Sequence, residues 1–475
     1  MGHIHEECGV VGVWSDEPAK LAETCYRGLF ALQHRGQESA GIVMNEDGVF
    51  SSAKGLGLVG EVFTRETLAS LGQGHIAVGH VRYATTGADA PRNIQPLVIN
   101  HRKGAMALAH NGNLANAWEL RDELEEGGAI FHTTSDSEVI AYVIVQERLL
   151  YGSIEDAVAS AMARLVGAYS LVISSPAKLI AVRDPHGFRP LCMGRTDAGW
   201  VVFASESCAL DAMGAHFVRD VEPGEVITVS KGCMKSDRRW CDAMRKSLCV
   251  FEYIYFSRPD SVVDGQSVCL ARQRAGAFLA QEHPVDADLV IGVPDSGLDA
   301  AMGYAAEAGI PYAMGFTKNK YIGRTFIAPD QEVRDNGVML KLNPIRSVVA
   351  GKRLVVVDDS IVRGTTCRQI VGLLRQAGAT EVHMRVSAPP FIAACHYGTD
   401  IDDPQTLIAN HHTTSEVAQI IGADSLGYLS LEHAADLAPG CGGICMACFD
   451  GRYPTLVPLH GAKRRFEEKI GGGGE

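Results

Sequence analysis

The sequence predicts two domains in tandem: an α+β domain rich in short strands, then an α/β domain built on a central parallel sheet. Three observations carry this expectation. At 475 residues the chain exceeds the roughly 100–200 residues of one domain. Hydrophobic residues make up 46% and charged ones 21%, enough apolar surface for a core in each unit and too much for a disordered chain. Near Lys246 the texture changes, from short β-type runs punctuated by glycine to apolar runs each followed by a small-residue loop and a helical pattern.

Taken in order, runs 9–14, 40–44, 75–81, 105–110, 170–174, 179–183, 200–204 and 225–230 are short, β-branched or apolar and bounded by turn residues, so each is expected as a strand. Segments 19–33, 118–126, 135–150 and 154–165 repeat apolar residues at three and four and are expected as helices. This interleaving indicates a layered α+β domain. The polar stretch 231–246 reads as the boundary after the last strand. Beyond it, 289–293 and 354–357 are continuous apolar runs of the kind found in parallel strands buried on both faces. Each precedes a helical pattern, at 299–308 and 367–376. The glycine run 471–474 is the only low-complexity piece.

Lys and Arg number 43 against 56 Asp and Glu, a net charge of −13, the wrong sign for coating nucleic acid. No apolar run reaches the length of a spanning helix, and the N-terminus has neither a basic nor an apolar leader region, so a cytoplasmic protein without membrane contact is expected. Thirteen cysteines spread over such a chain are better read as free thiols or metal ligands than as a disulfide framework.

Cys8 opens the run Cys8-Gly9-Val10-Val11-Gly12-Val13. If residues 1–7 are removed, its α-amine, with an ordinary pKa of about 7.7–8.0, becomes the thiol's own general base. Alone, Cys8 also suits a buried strand cysteine. Four further segments follow in order: Gln33-His34-Arg35-Gly36-Gln37, Gly79-His80-Val81-Arg82-Tyr83-Ala84-Thr85-Thr86-Gly87, His110-Asn111-Gly112-Asn113 and Ser135-Asp136-Ser137-Glu138. Singly, Arg82 also reads as a surface ion-pair partner, Asp136 as a helix N-cap and Asn111-Gly112 as a hairpin turn. As an ordered set with Cys8 they resemble the amidotransferases that use an N-terminal nucleophile on glutamine. That resemblance implies an N-terminal-nucleophile hydrolase fold of αββα layers over residues 8–235, with residues 1–7 as a propeptide. It also implies a glutamine site of Arg82, Asp136, Arg35, Gly36 and Thr85 around the catalytic Cys8, Asn111 and Gly112. The chemistry agrees. A guanidinium such as Arg82 suits glutamine's carboxylate, a carboxylate such as Asp136 its ammonium, and the Asn111 amide with the Gly112 N–H an oxyanion.

In the second half, Leu354–Thr366 runs from a buried strand through Asp358 and Asp359 into the loop Ser360-Ile361-Val362-Arg363-Gly364-Thr365-Thr366, which opens a helix. Free N–H groups and the positive end of a helix dipole suit a phosphate there, and the two carboxylates suit ribose hydroxyls. A second loop, Gly292-Val293-Pro294-Asp295-Ser296-Gly297, should face it across the carboxyl ends of the sheet. Asp295 or Ser296 also reads as an N-cap. Both loops resemble those of type I phosphoribosyltransferases, which bind 5-phosphoribosyl-1-pyrophosphate (PRPP). The basic segment 318–343, with Lys318, Lys320, Arg324, Arg334 and Lys341, suits closure over phosphates or a solvated loop. The resemblance covers nearly the whole chain and narrows to the amidophosphoribosyltransferases, with a type I phosphoribosyltransferase domain over 246–460 and a tail over 461–475. It implies that PRPP, glutamine and water give phosphoribosylamine, glutamate and pyrophosphate, the first committed step of purine synthesis. PRPP would be held by Asp295, Ser296, Asp358, Asp359, Ser360, Arg363, Gly364, Thr365, Thr366 and Lys341, and Mg²⁺ by Ser296, Asp358 and Asp359. A homotetramer inhibited by purine nucleotides is implied as well.

Cys445-Met446-Ala447-Cys448 is a C-x₂-C pair that alone reads as a zinc half-site or a redox motif. With Cys249 and Cys395 it resembles the amidophosphoribosyltransferase subclass that carries a propeptide and a [4Fe–4S] cluster, which implies ligation by Cys249, Cys395, Cys445 and Cys448. Cys441 is a rival ligand by proximity in sequence.

Overall fold

A computed structural model describes residues 8–83, 91–319, 342–401 and 403–457. The first domain stacks two antiparallel sheets. One has seven strands in the order Ala215–Asp220, Cys192–Thr196, Val201–Ala204, Gly9–Ala19, Gly74–Arg82, Ser39–Glu46 and Val49–Leu56. The other has six, in the order Cys233–Asp237, Val226–Ser230, Lys178–Arg183, Gly167–Ser175, Gly104–Leu114 and Leu97–His101.

Residue alternation assigns the layers. Along Gly9–Ala19, Val10 and Trp14 join Ile76, Val78, Ala109 and Val172 in the core between the sheets, while Val11 and Val13 face helix Leu21–Ala31. A Cβ on Gly12 would lie 2.6 Å from Val172 across the sandwich, so the sheets approach most closely where that strand carries no side chain. Beyond the second sheet, Met106, Leu108 and Ile173 pack on helices Asp136–Leu150 and Ile154–Ala161. The result is helix, sheet, sheet, helix, the layering expected for this half.

The eight expected strands are present. Five more, at Val49–Leu56, Leu97–His101, Cys192–Thr196, Ala215–Asp220 and Cys233–Asp237, lie at sheet edges or next to them, and three of these edge strands are largely exposed. Those three lack the alternation that marks a half-buried strand, whereas Cys192–Thr196 buries Cys192 and Met193 on opposite faces. Cys233–Asp237 also carries the first domain two residues past the expected limit at 235, because it pairs in register with Val226–Ser230.

In the second domain, strands Leu289–Gly292, Arg353–Asp358, Glu381–Val386 and Ser425–Tyr428 form a parallel sheet in that order. Helices Val268–Glu282, Gly297–Ala308 and Thr365–Gln376 cover it. The first two helices lie against each other at glycines: a Cβ on Gly276 would fall 1.8 Å from the Ala300 carbonyl, and one on Gly303 1.9 Å from that of Gln273. No described helix is long and apolar enough to cross a membrane.

The domains meet through buried polar contacts. The Arg183 guanidinium donates to both Asp264 oxygens at 2.7 and 2.9 Å, Arg189 Nη2 donates to the Tyr397 carbonyl at 2.8 Å, and the Asn113 amide donates to the His396 carbonyl at 3.0 Å. Phe188 stacks on Tyr397 at 4.1 Å.

Candidate active site

Cys8 is buried and directly precedes the strand Gly9–Ala19. On the neighbouring strand, residues 76 and 78 face the inter-sheet core, so His80 and Arg82 continue that face to the end where Cys8 sits. Across the sandwich Ala109 faces inward too, which brings Asn111 to the same side. The two sheets are joined here by His80, whose Nε2 donates to the His110 carbonyl at 3.0 Å. Burial, with Arg82, His110 and Lys54 nearby, lowers the His80 pKa to about 3, so the ring is neutral and serves as a strut.

Asn111 is fully buried, and neither its amide oxygen nor its amide nitrogen has a hydrogen-bond partner among the described residues. Such a group costs free energy unless something else uses it. It stands inside strand Gly104–Leu114 rather than in a hairpin turn. Gly112 has φ of +139°, and a Cβ there would lie 2.2 Å from the Ala168 carbonyl, so only glycine carries the strand through this point.

Asp136 begins helix Asp136–Leu150, but Ser135, not Asp136, caps it. The Asp136 carboxylate instead accepts from the Leu114 N–H at 2.9 Å and lies 3.7 Å from His110 Nδ1. Burial pushes its pKa up, but His110 and these hydrogen bonds outweigh that and hold it below the ordinary value, so it is ionised. Gly36 packs on the Arg82 backbone, where a Cβ would come within 2.7 Å.

Arg35, expected in the glutamine site, lies against the backbone of Cys8. Its Nε donates to the Cys8 carbonyl at 3.0 Å, and its two terminal nitrogens bind Glu206 and Glu252 at 2.7 to 2.9 Å. All three side chains are completely buried. Burial opposes ionisation of both acids, yet Arg35 together with His34 at Glu206 and Arg189 at Glu252 holds both pKa values low. Sequence reasoning offers no signal for Glu206 or Glu252, because neither belongs to a motif. Thr85 lies outside the described residues.

The second centre lies at the carboxyl end of the parallel sheet. Ser296 occupies the N-cap position of helix Gly297–Ala308 but does not cap it; its hydroxyl donates to Asp359, on the facing loop. A Cβ on Gly297 would lie 2.4 Å from the Val357 carbonyl, which is what lets the two loops meet. Ser360 donates to the other Asp359 oxygen, and Asp358 accepts from the Asp359 N–H at 3.0 Å. Burial, reinforced at Asp358 by the neighbouring carboxylate, raises both pKa values. Gly364, with φ of +79°, precedes helix Thr365–Gln376, whose first turn has no side-chain cap from that position. Arg363, Thr365 and Thr366 flank this helix end. Asp295 is exposed and ion-paired with Lys318. Lys341 and most of the basic segment lie outside the described residues.

Two family models match, a glutamine amidotransferase domain over residues 80–212 and a phosphoribosyl transferase domain over 269–406. The amidophosphoribosyltransferase of Methanocaldococcus jannaschii is 48% identical over 464 residues, covering 95% of this chain and 98% of that protein. The chain belongs to the amidophosphoribosyltransferases. The Bacillus subtilis member is 48% identical over 96% of the chain and 95% of its own length. A solved B. subtilis glutamine PRPP amidotransferase complexed with ADP and GMP superposes with a TM-score of 0.88 at 47% identity, over 95% of this chain and 98% of that one. A solved allosteric regulatory enzyme of purine biosynthesis gives 0.89 at 46% identity, over 98% and 99%.

Four cysteines of the second domain, Cys249, Cys395, Cys445 and Cys448, lie close enough to influence one another. Cys249 and Cys445 are paired residues of two short parallel strands, and the Ile392 and Ala393 N–H groups donate to the Cys448 carbonyl, bringing the Cys395 segment alongside. Cys448 is pushed well up, first by burial and then by the Cys395, Cys249 and Cys445 thiols. Cys441 stands apart: its charged neighbours are Asp264 and Arg183, and it packs with Leu248 and Tyr253. Among the described residues, no three His, Cys, Asp or Glu side chains converge as ligands of a single ion.

Proposed function

We propose that the two centres run the reaction in two half-steps, glutamine hydrolysis around Cys8 and amination of PRPP at the sheet end of the second domain. The single observation that carries the first half is the buried Asn111 amide, unpartnered among the described residues and on the same inter-sheet face as Cys8. With residues 1–7 removed, the Cys8 amine takes the thiol proton and the thiolate attacks the glutamine amide carbon. Asn111 Nδ2 and the Gly112 N–H receive the developing oxyanion. Ammonia then leaves with the proton, and water releases glutamate from the thioester. Arg82 clamps the substrate carboxylate, Asp136 its ammonium, and Gly36 and Thr85 complete the site. Arg35 acts from below by holding the Cys8 backbone.

In the second half, the N-terminus of helix Thr365–Gln376, with Ser360, Arg363, Gly364, Thr365 and Thr366, takes the 5-phosphate, and Asp358 and Asp359 take the ribose hydroxyls. Asp295, Ser296 and Lys341 serve the pyrophosphate side, where ammonia displaces pyrophosphate from the anomeric carbon. Two adjacent carboxylates whose burial disfavours ionisation fit a divalent cation, which would restore their charge. Asp358, Asp359 and Ser296 would hold Mg²⁺, directly or through water, and it would neutralise PRPP phosphates. Cys249, Cys395, Cys445 and Cys448 fit a [4Fe–4S] cluster. Each thiolate would bind one iron, so the four need only surround a common space, which their mutual electrostatic influence supports. Purine nucleotide inhibition, a homotetramer and a cytoplasmic location complete the reading.

The test is glutamine hydrolysis and phosphoribosylamine synthesis measured side by side. Cys8→Ala is expected to abolish synthesis from glutamine and to spare synthesis from added ammonia; loss of both would make Cys8 structural. A protein that only senses PRPP would hydrolyse no glutamine at all.

A further inference from the structure

We propose that Glu252, supplied by the second domain, is a positioning residue for the nucleophile Cys8 of the first. The inference rests on Cys8 being the glutamine nucleophile. Its basis is one short chain of buried contacts. The Cys8 carbonyl accepts from Arg35 Nε at 3.0 Å, and the same guanidinium is gripped by Glu252 through two parallel bonds, Nη2 to Oε1 at 2.7 Å and Nη1 to Oε2 at 2.9 Å. A guanidinium bound bidentately has a fixed plane. Its Nε–H direction, and with it the carbonyl of the nucleophilic residue, is then set by Glu252.

Glu252 is itself anchored. The Ser257 hydroxyl donates to Oε2 at 2.6 Å, and Arg189 Nη1 lies 3.4 Å from Oε1. Arg272 then ties down the turn Glu252–Phe256 from the other side, donating to the carbonyls of Tyr253, Tyr255 and Ser257 at 2.9, 3.0 and 2.6 Å. Arg35, Glu206, Glu252 and Arg189 are all fully buried, so in a low-dielectric interior the group has one satisfactory arrangement rather than several. Its two guanidinium and two carboxylate charges balance. An ion pair retained there without exposure is weak evidence for stability and better evidence for fixing a geometry. The thing fixed is the backbone of a residue whose amine and thiol must both meet the substrate amide, and a misplacement of about 1 Å at such a centre costs on the order of 100-fold in rate.

The experiment compares intact protein carrying Glu252→Gln, Glu252→Asp and the charge-neutral pair Arg35→Met/Glu252→Met. Removing one partner alone leaves an uncompensated buried charge, so the paired variant guards against simple unfolding. Ammonia-dependent synthesis reports folding of the same molecules. The expected result is a glutaminase kcat lowered about tenfold or more in Glu252→Gln and in the pair, an intermediate value in Glu252→Asp, and a glutamine KM within about twofold of wild type. Ammonia-dependent synthesis should stay within about twofold of wild type. Wild-type glutaminase kcat in the paired variant, a loss carried by KM, or equal loss of both activities would overturn the proposal. A wild-type protein that hydrolyses no glutamine would instead overturn the reading of Cys8.

Discussion

At the scale of single residues, the candidate site leaves the buried Asn111 amide without a partner among the described residues. Asn111→Ala should therefore cost little stability while lowering glutamine-dependent kcat by about 10²–10³-fold, the usual effect of deleting one oxyanion donor. Unchanged hydrolysis in stopped assays would remove Asn111 from the mechanism. Cys8, Arg82, Asn111 and Asp136 stand out in the sequence because each lies in a local motif whose residue types suit the chemistry of an amino-acid amide. The destination of Arg35 was not legible. Its carboxylate partners lie 171 and 217 residues away and carry no motif, and a motif-borne arginine reads equally well as a ligand clamp or as a buried strut. Ser296 was legible as a loop residue, but its bond to Asp359 spans 63 residues and shows only in three dimensions.

At the scale of elements, glycines decide how closely helices and loops approach. Gly303→Ala should destabilise the second domain by about 1–3 kcal/mol, because the new methyl would meet the Gln273 carbonyl of the adjacent helix. The shifted helix carries Ser296 at its start, so the KM for PRPP should rise with either nitrogen donor; thermal melts and PRPP titrations check the two halves of this expectation. The short paired strands Leu248–Cys249 and Ile444–Cys445 join the two ends of that domain. Protein purified without oxygen should hold about four irons per chain by metal analysis, and stoichiometric zinc would reject the cluster. The longer first-domain helices and the apolar inner strands there were legible from periodicity, whereas helix Val268–Glu282 and the inner strand Glu381–Val386 of the second domain were not read from it. The exposed edge strand Cys233–Asp237 was missed because it is Lys- and Ser-bearing with no buried side. Asn111-Gly112 misleads in isolation because a dipeptide suited to turns can also occupy a strand whose glycine alone must adopt positive φ.

At the scale of the whole molecule, the seam between the domains is charged and closed. Burial and the nearby Asp264 raise the Asp220 pKa to about 6, above its unfolded value of about 3.9. Between those values the folded chain keeps a proton that the unfolded chain releases, so this group lowers stability progressively as pH rises from about 4 to 6 and fully above that. Asp220→Asn should raise the melting temperature at pH 8 and leave it nearly unchanged at pH 4; an equal shift at both would show that the carboxylate does not titrate in this window. The order of the two domains was legible from the change of texture near Lys246. Their seam was not, because Arg183, Arg189 and Asn113 find Asp264, Tyr397 and His396 only once both halves have folded. That seam limits how far either half can be treated as a module. A chimera joining this amidotransferase half to a foreign phosphoribosyl half would inherit buried guanidiniums that have lost Glu252 and Asp264. It would have to transplant Glu252 and Asp264 along with the carbonyl geometry at His396 and Tyr397, so recombination between relatives should succeed at crossover points that keep those four positions with residues 8–237 and fail at the linker itself.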